Sequence, residues 1–121
     1  MSLDRKQTGQ LGEQLALSYL KEAGYQIKHA NWRCKAGEID IVAEADGRIV
    51  FIEVRTRKTN EKFGSAIESV DSRKQQRIRL TAQFYMQAMK LFDKAIRFDV
   101  VAIELRAGDQ LPHIKHIQGA F

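Results

Sequence analysis

The chain has 121 residues, 44% hydrophobic and 29% charged, with one proline, one cysteine and a formal net charge of +5. These values fit a single soluble domain over residues 1–121 and exclude repeat, collagenous and disulfide-framework proteins. Cys34 alone fits a reducing compartment, MSLDRKQTGQ lacks a signal-type apolar region, and no apolar run reaches membrane-spanning length. A cytoplasmic protein without a membrane partner is expected.

In chain order, the first element reads as a helix from about Thr8 to Ala23, closed by Gly24. At 100° per residue, Leu15, Ala16, Leu17, Tyr19, Leu20 and Ala23 share a broad apolar sector. Gly12 falls in that sector, where lack of a side chain allows close approach to another element. Glu13 also falls in it, as a carboxylate aimed toward the apolar side; either it finds a buried partner or its head reaches solvent at the edge. Tyr25–Trp32 reads as a strand with Tyr25, Ile27 and His29 on one side, and Trp32 as packing.

Gly37–Arg57 then reads as two strands around a tight turn at Asp46-Gly47, a pair suited to positive φ at both turn positions. That turn makes paired residue numbers sum to 93 and sets Asp40 opposite Glu53. Period-2 alternation gathers Ile39, Ile41, Ala43, Val50, Ile52 and Val54 on a core face. Glu38, Asp40, Glu53, Arg55 and Arg57 take the other face, with Val42 and Phe51 among them. Two carboxylates directly opposite, with Cβ atoms about 4.5–5.5 Å apart, repel. A divalent cation with oxygen ligands offsets that repulsion; solvation or pairing with Arg55 and Arg57 is the alternative.

Thr59–Gly64 is polar, and a helical turn follows at Ser65–Val70. Ser72 and Gln75 have capping-box spacing, so a long helix is expected from there to about Phe92. Ile78, Ala82, Tyr85, Met89 and Phe92 form its inner stripe, with Lys74 one turn before Ile78. Leu80, Phe84 and Leu91 form a second ridge, for the sheet or for another chain. Ile96–Leu105 and His113–Ile117 are strands. Asp99 reads as a satisfied structural acid, and His113 and His116 point to opposite faces of their strand. The order α-β-β-β-α-β-β gives an α/β domain with a mixed central sheet flanked by helices.

Between Arg55 and Arg79 lie eight basic residues and three acids, an excess equal to the whole net charge of +5. A basic patch beside an acidic pair points to a polyanion; a solvated helix face is the plainer alternative.

The motifs resemble two families. An acid on the first helix, an Asp on one strand and Glu-x-basic on the next resemble the restriction-endonuclease-like nucleases, whose signature is Asp…Glu-x-Lys, and in style the archaeal Holliday-junction resolvases. More narrowly, the chain resembles the YraN-like bacterial family. The matching pieces are Gly9-x-x-Gly12-Glu13, Asn31-Trp32-Arg33, Gly37-Glu38-Ile39-Asp40, Phe51-Ile52-Glu53-Val54-Arg55-x-Arg57, Phe63-Gly64, Lys74 and Phe98-Asp99-Val100-Val101. They cover nearly the whole chain.

The resemblance implies a restriction-endonuclease-like fold and Mg²⁺ or Mn²⁺ on Asp40, Glu53 and the Val54 carbonyl, with Glu13 reaching the site directly or through water. It implies hydrolysis of phosphodiester bonds in DNA, branched or structured DNA included. Lys74 and the basic residues Arg57, Lys58, Arg73 and Arg77 would hold flanking phosphates, and a homodimer would supply a second centre. One departure matters: Arg55 stands where the signature has lysine. A guanidinium stabilises developing charge but does not act as a base. The competing expectations are a nucleic-acid-binding module without efficient catalysis and an interaction subunit docking through Leu80, Phe84 and Leu91.

Overall fold

The computed structural model describes residues 3–58, 70–108 and 110–121. The polar stretch Thr59–Gly64, all but Val70 of the turn at Ser65–Val70, and the Phe63-Gly64 pair lie outside them. The described elements run α1 (Arg5–Glu22), β1 (Gln26–Cys34), β2 (Gly37–Ala45), β3 (Arg48–Lys58), α2 (Ser72–Ala88), β4 (Ala95–Leu105) and β5 (His113–Ile117). This is the order expected, and the strands form one mixed sheet in sequence order, β1 to β5. Neighbours are antiparallel except β3 and β4, which run parallel across α2.

Local chemistry sets the helix ends. Asp4 accepts from the Gln7 amide at 2.7 Å while the Gln7 side chain accepts from the Asp4 amide at 3.1 Å. That capping box starts α1 three residues earlier than the apolar pattern suggests. Gly24, at φ +92°, follows its end. The cap of α2 is Asp71, accepting from the Lys74 amide at 2.9 Å, and not Ser72. The helix stops at Ala88, short of Phe92, and Lys90 turns the chain with φ +55°. Met89 and Phe92 therefore fall outside the inner stripe, and Phe92 is 72% exposed.

Both faces of the sheet are buried. On one, α1 covers Ile41, Ala43, Val50, Ile52, Val101 and Ile103 through Ala16 and Leu20. On the other, α2 covers Ile39, Val42, Ile49, Phe51, Phe98 and Val100 through Ile78, Ala82 and Tyr85. Gly12 does allow the close approach expected of it: any Cβ there would overlap Thr56 of β3. The second ridge of α2 is split, with Leu80 49% exposed, Lys35 stacked over Phe84 at 5.3 Å, and Leu91 packed on the core. Among the described residues, no helix is long and apolar enough to cross a membrane.

Asp99 is the satisfied acid expected. It is fully buried on β4, with Arg97 Nε at 2.8 Å, His116 Nε2 at 2.7 Å and the Gly119 amide at 3.1 Å. Burial alone would raise its pKa, but these bonds outweigh it and hold the carboxyl below the ordinary 3.8. Tyr19 on α1 completes the cluster by bonding the other nitrogen of His116 at 3.1 Å.

Candidate metal and nucleic-acid site

The β2–β3 hairpin has the register expected, from Ala45↔Arg48 to Ile41↔Ile52. It then departs from the expectation. Asp40 and Glu53 do not form the next rung; the paired ladder ends at Ile41↔Ile52, and the Asp40 carboxylate accepts the Val54 N–H at 2.8 Å. A side chain thus takes the place of a backbone carbonyl at the point where β2 leaves β3.

The alternation fails at the same residue. Ile39 packs with Val42 on the α2 face, whereas Ile41 and Ala43 pack on the α1 face. Residues two apart in a regular strand share a face, so Ile39 and Ile41 mark a reversal of phase at Asp40. The neighbouring β1 reverses too. A bulge between Ile27 and His29 turns His29 to the α2 face, away from Ile27. His29 and Trp32, three apart, then both meet Tyr85 on that face. Asn31 lies between them with φ +55°. The expectation that Tyr25, Ile27 and His29 share one side therefore fails for His29.

Glu53 remains on the α2 face with Phe51, as alternation requires, and is almost fully buried. Two cations reach it: Lys74 Nζ from α2 at 3.3 Å and Arg55 from β3 at 3.9 Å. The Asp40 carboxyl lies near Glu53, and its pKa is pushed up to about 8 by burial first and the Glu53 charge second. The two carboxyls form an oxygen-only donor set that a hard divalent cation fits. Among the described residues, no three His, Cys, Asp or Glu side chains are gathered closely enough to hold a metal. Glu13 lies near the pair, close enough for the Glu53 charge to act on it. Burial raises its pKa above the ordinary value; the nearby Asn31 amide opposes the rise, and Glu38 and Glu53 add to it.

The basic residues separate. Lys74 joins the carboxylate pair, and Arg73 and Arg77 lie exposed along α2. The Arg77 stem passes 3.4 Å from the Cβ position of Gly37, at the start of β2. Arg57 instead reaches Glu104 of β4 at 3.2 Å, and Lys58 bonds the Leu3 carbonyl at 2.8 Å. These last two sit roughly 13–17 Å along β3 from Glu53, at about 3.3 Å per residue. Asn31 is the residue that sequence reasoning left without a role, although asparagine is depleted in strand interiors and enriched at positive φ.

Residues 12–103 match the family described as "Uncharacterised protein family UPF0102". A UPF0102 protein of Moorella thermoacetica is 45% identical over 121 residues, covering all of both chains. One from Caldicellulosiruptor saccharolyticus is 37% identical over 119 residues, covering 98% of this chain and 100% of its own. One from Syntrophus aciditrophicus is 48% identical over 99 residues, covering 82% of this chain and 77% of its own. Matching over most of its length to the family and to full-length relatives, the chain belongs to UPF0102, the YraN-like family.

Proposed function

We propose that this protein is a metal-dependent nuclease that hydrolyses phosphodiester bonds in DNA, branched or structured DNA included, in the cytoplasm. The observation that carries the reading is the Asp40 carboxylate, freed from the β-ladder and set against Glu53, with Lys74 on the same acid. Asp40 and Glu53, with the Val54 carbonyl beside them, would hold Mg²⁺ or Mn²⁺. When bound, the cation supplies Lewis-acid activation of a water and offsets charge on the phosphate oxygens.

The chain's own groups do the rest. Arg55 keeps its proton and contributes charge alone, so of the two cations on Glu53 only Lys74 can exchange one. Lys74 therefore combines the two tasks that the sequence divided between the Glu-x-Lys signature and phosphate holding. Arg73 and Arg77 continue the positive surface along α2 and contact phosphates on either side of the cut. A homodimer would place two such centres on a duplex or junction.

Arg55 in place of lysine favours a second reading, a nucleic-acid-binding module that retains the fold without efficient catalysis. Calorimetric titration of Mn²⁺ and Mg²⁺ into the protein and into the Asp40→Ala, Glu53→Ala double variant separates them. Alongside it, linear, flapped and four-way DNA are tested for cleavage. The nuclease predicts metal binding and cutting that both vanish in the variant. Salt-sensitive DNA binding without metal uptake or cutting would establish the binding module instead.

A further inference from the structure

We infer that Asn31 is a positioning residue: its left-handed backbone reverses the phase of β1 opposite Asp40, and its amide holds Glu13 toward the Asp40–Glu53 pair. The inference rests on the metal-site reading above and goes beyond it by assigning a residue outside the carboxylate set.

Three observations converge on this position. The rungs Ala30↔Ile41 and Trp32↔Ile39 flank Asn31 and Asp40, so the two residues lie opposite each other across β1 and β2. Both strands reverse phase there: Ile39 and Trp32 join the α2 face, while Ile41 joins the α1 face. A strand pair changes phase without losing register only if both members change together. The φ of +55° at Asn31 is the local conformation that reverses β1, and asparagine tolerates it better than most residues. The partner across the rung is then free to aim its carboxylate sideways, at the Val54 amide. Finally, the Asn31 amide lies beside the carboxyl of Glu13, the α1 acid that also feels Glu38 and Glu53. One residue thus ties the backbone irregularity that presents Asp40 to the side chain that places Glu13.

Asn31→Gly separates the two tasks, because glycine keeps the positive φ and removes the amide. Mn²⁺ affinity is measured by calorimetry in the parent, N31G, E13Q and the double variant, with melting temperatures recorded without metal. N31G is expected to melt near the parent yet bind Mn²⁺ about tenfold more weakly, the size of effect seen when outer-shell partners of metal ligands are lost. If Asn31 acts through Glu13, the double variant binds no more weakly than E13Q alone. N31A, which removes the amide and strains the backbone, should melt below N31G. Parent-like Mn²⁺ affinity in N31G overturns the inference, as does a full additional loss on top of E13Q. A parent that takes up no Mn²⁺, even with DNA present, overturns the metal-site reading and the inference with it.

Discussion

Asp40 holds its proton to about 8, against an ordinary 3.8, because burial and then the Glu53 charge disfavour its ionised form. A carboxyl raised in this way binds a proton in the folded chain that the unfolded chain has already released. Its contribution to stability therefore falls as pH rises from about 4 to about 8, and levels off above that. Asp40→Asn should remove this slope, melting roughly 10 °C or more above the metal-free parent at pH 8 and much nearer to it at about pH 4.5. Thermal melts across that range check it. Lys74 is testable by rate. If its ammonium faces charge developing at phosphate, Lys74→Ala should slow cleavage by about 10²–10³-fold, far more than Arg73→Ala. Equal, small effects of the two variants would return Lys74 to a flanking contact. Asp99 makes the opposite contribution from Asp40. Held below 3.8 by His116, Arg97 and the Gly119 amide, it gives stability that is present above that pH and lost as the pH falls through its folded value. Asp99→Asn leaves the Arg97 guanidinium in a nearly buried position without its counter-charge. A loss of about 3–5 kcal/mol in urea unfolding at neutral pH is expected, with no direct change at the carboxylate pair.

Among the elements, α1 and β3 are placed by one contact. Gly12 lies on Thr56, and this close approach brings the following residue, Glu13, toward Glu53 in the middle of β3. Gly12→Ala must push α1 off the sheet or displace Thr56, at about 1–3 kcal/mol as for other overpacked cores. Gly12→Ala with Thr56→Ala should recover part of the loss, because the hydroxyl and methyl of Thr56 are removed while its Cβ still crowds the site. Urea unfolding of the single and double variants measures both. The helices and the hairpin were largely legible in the sequence, since apolar period, the Asp-Gly turn and Gly24 are local signals. Their ends were less so. Asp4 and Asp71 extend or shift the caps through side-chain bonds that spacing alone did not single out, and Phe92 continues an apolar stripe that the chain does not use as helix.

At the scale of the whole molecule, the parallel pairing of β3 with β4 carries α2 across the sheet and sets its first turn beside Glu53. The positive surface then follows α2, through Arg73 and Arg77, and not the far end of β3 where Arg57 and Lys58 are engaged with Glu104 and Leu3. Arg73→Glu with Arg77→Glu should weaken DNA binding and flatten its dependence on salt by about two units of slope, as two phosphate contacts are lost. The same changes at Arg57 and Lys58 should do less; binding isotherms at several salt concentrations decide. The sequence by itself determined the family, the element order and the hairpin register, because each is written in local pattern or motif. Only the tertiary structure decided that Asp40 leaves the ladder, that Asn31 reverses β1 opposite it, and that Lys74 reaches Glu53. A period of two assumes an unbroken strand, and no local rule foretells where two neighbouring strands change phase together. The reach of Lys74 depends on how α2 packs, which long-range burial on both faces of the sheet fixes.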